Sequence, residues 1–156
     1  MTAPSLTIRE VPWSDPAGDA LRESQQAEVR ALYGGNDTEP GPKPTGDDIA
    51  LFLVAFEGDQ PVGCGALRAI DAEHGEIKRM FVVPERRGAG IAEAIVTALE
   101  QAARERGWNR VVLETGHEQR AALKFYARAG YREIPLFGYY VDSAFSLCFE
   151  KSLRAD

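Results

Sequence analysis

The chain is 156 residues long, 44% hydrophobic and 27% charged, with a formal net charge of −6. That size suits one domain, residues 1–156, able to bury a real core without disulfide or metal staples. The acidity argues against nucleic acid as the main partner, since phosphate contacts need a basic face, and it suits a cationic amine.

No apolar run approaches the ~20 residues of a membrane span. Met1-Thr2-Ala3-Pro4-Ser5 lacks the basic-then-apolar start of a secretory leader, so the expected location is cytoplasmic, with no membrane partner. Cys64 and Cys148 follow no disulfide or metal spacing and read as small apolar strand residues. They offer no obvious nucleophile. His74 and His117 fall near expected loops, and no metal is expected.

In chain order, Leu6 to Val11 alternates as a first strand ended by Pro12. Residues Ala17 to Tyr33 predict one helix or a broken pair, with Leu21, Val29 and Leu32 as apolar anchors. Gly34 to Asp47 holds four glycines and three prolines and predicts a long loop, either a lid over an acceptor site or a plain insertion. Leu51 to Phe56 and Val62 to Arg68 predict an antiparallel hairpin turned at Glu57 to Pro61. A third strand runs from Glu76 to Val83. Ile91, Ile95, Leu99 and Ala102 recur at helical spacing within a helix expected over 88–106 and closed by Gly107. Val111 to Leu113 is a short strand, and a helix over 118–129 follows, ended by Gly130. Arg132 to Ile134 and Ala144 to Phe149 complete the strands. This order predicts an α/β or α+β domain with a mixed sheet and one right-handed parallel crossover.

The turn Arg87-Gly88-Ala89-Gly90-Ile91-Ala92 joins a strand to a helix. Its glycines let the backbone approach a ligand closely, and the first helical N–H groups have no partner within the helix. With the helix dipole and the Arg87 guanidinium, those donors suit a phosphate. The same residues also suit a plain strand-to-helix turn.

The flanking sequence carries a resemblance. The Arg87 to Ala92 motif, the Glu76 to Val82 strand before it, and Ala122-Leu123-Lys124-Phe125-Tyr126 with Gly130-Tyr131 after it resemble the GNAT acyltransferase superfamily. Leu113-Glu114-Thr115-Gly116 and Ser146-Leu147-Cys148-Phe149-Glu150-Lys151 are similar to a bacterial subgroup of unassigned substrate. The resemblance runs from about residue 50 to the end. It implies a mostly antiparallel sheet flanked by helices, with one parallel strand pair that splays. It also implies acetyl-CoA as cosubstrate, its pyrophosphate held by Arg87, Gly88, Ala89, Gly90, Ile91 and Ala92, and transfer of the acetyl group to a small-molecule or protein amine. A homodimer is among the assemblies it allows.

Individual residues then have two readings each. Glu76 is a general base that takes a proton from the amine, or an ion-pair partner of Lys78 or Arg79. The backbone N–H groups of Phe81 and Val82 polarise a thioester carbonyl if the strand splays there, and Pro84 ends its pairing. Tyr126 is a packing residue whose phenol the resemblance makes the acid for the departing thiolate. Gln119 stands where the family often has Asn, at the arm of the cofactor. Glu114 is a second candidate for base or for a cation site, or a solvated loop-edge glutamate. By position in the subgroup, Tyr33, Arg79, Phe137 and Tyr140 line the acceptor pocket. A CoA-binding regulatory module without catalysis, and a toxin acetylating aminoacyl-tRNA, are the alternative functions.

Overall fold

In the computed structural model, which describes residues 5–154, the chain alternates apolar strands with three helices. Most of the N-terminal segment bearing on a leader lies outside the described residues.

Strand β1 (Leu6–Glu10) leads into helix α1 (Pro16–Leu32). Asp15 caps α1 by accepting from the Gly18 N–H at 3.0 Å, and Pro16 begins it with its φ preset. The helix is continuous, not a broken pair. Leu21 is buried as expected, whereas Leu32 is 49% exposed. Strands β2 (Ile49–Glu57), β3 (Gln60–Ala69) and β4 (His74–Val82) follow as an antiparallel meander. A 3-10 turn at Pro84–Arg86 leads to α2 (Ile91–Glu105), then β5 (Arg110–Gly116) and α3 (Arg120–Arg128). Strands β6 (Arg132–Ile134) and β7 (Ser146–Ser152) close the fold.

The seven strands form one sheet in the order β1-β2-β3-β4-β5-β7-β6, antiparallel except for β4 and β5. The expected mixed sheet, mostly antiparallel with one parallel pair, is what forms. Because β2 and β3 are buried on both faces, their residues supply two cores. Leu51, Leu53, Leu67, Ile95 and Leu99 pack on the α2 face, and Phe52, Val54 and Cys64 pack with Leu21 on the α1 face. Both thiols are buried, and burial pushes Cys64 up to about 12 and Cys148 up to about 11.

Two departures from strict pairing shape the middle of the sheet. The parallel β4–β5 register runs from His74↔Arg110 to Ile77↔Leu113 and stops. Beyond it β4 stays with β3 while β5 continues along β7 to Gly116↔Ser146, so the two strands part. The β3–β4 register also slips between Cys64↔Phe81 and Ala66↔Lys78. Arg79 sits in that bulge at φ 58°, the one non-glycine residue at positive φ among the described residues.

Candidate active site

The parting of β4 from β5 opens a cavity of about 1120 Å³ across the sheet. Its walls come from the second half of α1 and the loop after it, β4, the start of α2, β5 and α3.

The α2 start is built by backbone conformation. Gly88 and Gly90 adopt φ +83° and +84°, so the helix begins at Ile91 and not at Gly88 as its composition suggests. Gly90 has no side chain to cap the first amides, which leaves those donors available. A Cβ at either glycine would meet no heavy atom within 4 Å. Open backbone, uncapped amides and the helix dipole together fit a phosphate group. Arg87, Gly88, Gly90, Ile91 and Ala92 line the cavity, and Ala89 does not. The Arg87 guanidinium is engaged elsewhere: its Nε donates to the Val82 carbonyl at 2.9 Å and its Nη2 pairs with Glu28 of α1 at 2.7 Å.

Phe81 and Val82 face the same cavity where β4 has left β5. Tyr126 reaches it from α3, 6% exposed, packed edge-on against Phe125 and Tyr131. Burial pushes its phenol above the ordinary tyrosine range, so it stays protonated at neutral pH. Gln119, at the N-cap of α3, lines the wall without bonding the helix through its side chain.

A charged network converges on Glu76, which is 3% exposed. Arg68 donates to Glu76 Oε1 at 3.1 Å from Nη2 and 3.3 Å from Nε. Tyr140 Oη donates to Glu76 Oε2 at 2.7 Å and accepts from Lys78 Nζ at 2.8 Å. Lys78 Nζ lies 3.6 Å from Glu76 Oε2 and 3.1 Å from Glu39 Oε2. Arg79 grips the same Glu39 carboxylate bidentately, with two contacts of 2.8 Å. Strict alternation would send Lys78 and Arg79 to opposite faces of β4. The bulge at Arg79 breaks that alternation, and both cations meet one carboxylate.

Burial opposes ionisation of Glu39, but its bonds to Arg79 and the charges of Lys78 and Arg79 outweigh burial and hold its carboxyl well below the usual range. Glu114 lies across the cavity within β5, opposite Cys148, and not at a solvated loop edge. Burial raises its carboxyl, partly offset by the Ser146 hydroxyl donating at 2.5 Å.

The fold therefore brings Glu76, Arg79, Glu114, Tyr126 and Tyr140 to one cavity. Tyr33 lies outside this cavity lining and packs edge-on against Phe145, its hydroxyl accepting from the Glu118 N–H at 3.2 Å. That hydroxyl fills the space where Gly116 lacks a Cβ. Phe137 also lies outside the lining and supports the Tyr140 ring at a centroid separation of 5.3 Å. Arg79, one of the two expected ion-pair partners of Glu76, pairs with Glu39 instead. Lys78, the other expected partner, does lie 3.6 Å from Glu76 Oε2, whereas Glu39 and Arg68 are residues that sequence reasoning did not single out. Glu39 had one signal, its place in the long Gly/Pro-rich loop.

A splayed parallel pair beside a glycine-turned helix start, with Glu76, Glu114 and Tyr126 lining the same cavity, is a candidate site for a phosphate-bearing ligand. Residues 8–131 match the Acetyltransferase (GNAT) family, and the chain belongs to it. It is 41% identical over 160 residues to an IAA acetyltransferase of Azospirillum brasilense, covering 96% of this chain and 99% of that protein. A Klebsiella pneumoniae structure assigned as an acyl-CoA N-acyltransferase superposes with a TM-score of 0.82 at 29% identity, covering 96% and 98%. A GNAT acetyltransferase of Elizabethkingia anophelis, solved with acetyl-CoA bound, shares the fold at a TM-score of 0.70 and 17% identity, covering 94% and 97%. Among the described residues, no helix is long and apolar enough to cross a membrane, and no group of three His, Cys, Asp or Glu is placed to hold a metal ion.

Proposed function

We propose that this chain, acting as one domain, transfers an acetyl group from acetyl-CoA to a primary amine by direct attack. The observation that carries this reading is the single cavity joining the uncapped start of α2 to Glu76 through the gap between β4 and β5. The α2 amides at Gly90, Ile91 and Ala92 hold the diphosphate, with Gln119 near the pantetheine arm. The backbone N–H of Val82, on the side that β5 has left, polarises the thioester carbonyl.

The amine nitrogen attacks that carbonyl carbon; the C–N bond forms and the C–S bond breaks. Glu76 takes the proton the nitrogen sheds, and the Tyr126 phenol protonates the departing thiolate. Solvent then removes the proton from Glu76 and restores the one on Tyr126. With both thiols buried and their pKa raised, direct transfer is favoured over a cysteine-bound acyl group.

A second reading exchanges the base. Glu114 faces the cavity, and its raised carboxyl lies nearer neutral pH, where a base works best, whereas Glu76 is saturated by Arg68, Tyr140 and Lys78. Thiol release from acetyl-CoA across an amine panel tests the function, and comparing Glu76→Gln with Glu114→Gln assigns the base. CoA binding with no turnover on any amine would instead favour a regulatory module.

A further inference from the structure

Two cations of β4 are aimed at one place in the cavity. Lys78 and Arg79 have side chains 5% and 9% exposed, and both direct their donors at the carboxylate of Glu39. The contact has the form of a carboxylate receptor: a planar fork making two parallel bonds of 2.8 Å, and an ammonium at 3.1 Å on the same oxygen that Nη1 holds. Lys78 keeps Glu76 at 3.6 Å, but Glu39 is the one carboxylate paired with Arg79 among the described residues. A buried guanidinium without an anion is costly, so a group that displaces Glu39 is favoured when it brings a negative charge of its own.

Glu39 is the only part of that receptor not anchored in the sheet. It belongs to the segment between α1 and β2, which contains Pro40, Pro42 and Pro44 and turns at Gly34, Gly35 and Gly41 with φ +70°, +89° and +79°. Its other bonds stay within the loop: its N–H donates to Asp37 Oδ1 at 3.0 Å, and its carboxylate pairs with Lys43 at 3.1 Å, whose side chain is 45% exposed. The receptor also borders the base. One ammonium, Lys78 Nζ, lies 3.1 Å from Glu39 and 3.6 Å from Glu76. A ligand carboxylate seated in place of Glu39 therefore puts neighbouring atoms of that ligand beside Glu76.

We infer that Lys78 and Arg79 form a carboxylate-binding subsite of the acceptor pocket, occupied here by Glu39 as an internal stand-in, and that the acceptor is a small amine bearing its own carboxylate a few bonds away. This rests on the acyltransferase reading and narrows its substrate to amines of the amino-acid type. A pocket built to hold cations would not spend its two buried positive charges beside the base.

The test uses calorimetry on the full-length, CoA-loaded protein, so that turnover is not required. The probes are matched pairs of N-acetyl amino acids and their carboxamides, spanning small, acidic, basic and aromatic side chains. At least one acid is expected to bind about ten- to a hundredfold more tightly than its amide, the range of a hydrogen-bonded charge pair. Arg79→Gln should level each such pair. Glu39→Gln, in the surface loop and outside the sheet, should tighten acid binding and leave the amides unchanged. Equal affinities within every pair, or acid binding untouched by both substitutions, overturns the subsite while the acyltransferase reading stands. Failure of the protein to bind CoA strikes that earlier reading instead.

Discussion

Replacing Tyr126 with phenylalanine removes one hydroxyl and keeps the ring that does the packing. The ring meets Phe125 and Tyr131 at centroid separations of 5.1 and 5.5 Å, contacts that phenylalanine reproduces. Burial alone raises the phenol, with no hydrogen bond or charge contributing, so no partner is orphaned by its loss. Stability should change by about 0.5 kcal/mol or less, a melting shift under ~2 °C for a domain of this size. The chemistry should respond differently. A positioned acid is worth ~10²–10⁴-fold, but a phenol pushed above ~10 is a reluctant donor to a thiolate whose thiol titrates near ~8.5. The loss therefore belongs at the low end, ~10²-fold in kcat or about 2.7 kcal/mol of barrier. Thiol release at saturating acetyl-CoA reads kcat, while calorimetry and a melt on the same preparation read CoA affinity and folding. A kcat within about threefold of wild type would reduce Tyr126 to a packing residue.

Three other substitutions probe the remaining assignments. Glu76→Gln should lower turnover ~10²–10⁴-fold, most severely at low pH where free amine is scarce; an unchanged pH–rate profile moves the base elsewhere. Burial keeps Glu114 protonated to higher pH in the folded chain than in the unfolded one. Its contribution to stability is thus present below the ordinary carboxylate value of ~4.3 and lost as pH rises through the folded value. Glu114→Gln should gain on wild type in melting temperature as pH rises above ~4.3, and a difference that stays flat with pH contradicts the raised carboxyl. Gly90→Ala places a side chain at φ +84°, costing ~1–2 kcal/mol of strain, and adds a methyl at the open start of α2. CoA affinity measured by calorimetry should fall about tenfold or more, and an unaltered affinity would place the diphosphate elsewhere.

Local physics made much of this protein legible from its residues. Apolar β-branched runs marked β2 to β5, helical spacing marked α2, and the Gly88-Gly90 turn marked a strand-to-helix junction, because each depends on neighbours a few residues away. Boundaries shifted where backbone conformation overrode composition. Gly88 and Gly90 sit at positive φ and delay α2 to Ile91, and pairing with β7 extends β5 through Glu114 to Gly116. What the chain order could not carry was the company kept by the charged residues. Glu39 meets Lys78 and Arg79 from forty residues away, and Tyr140 reaches Glu76 across a still longer separation. Tyr33 and Tyr140 looked alike as pocket tyrosines, yet one fills the hollow at Gly116 and the other holds the buried glutamate. Periodicity follows from rises and turns along a segment, whereas these pairings follow from sheet register, a bulge at Arg79 and where a long loop lands. Only the folded chain decides those.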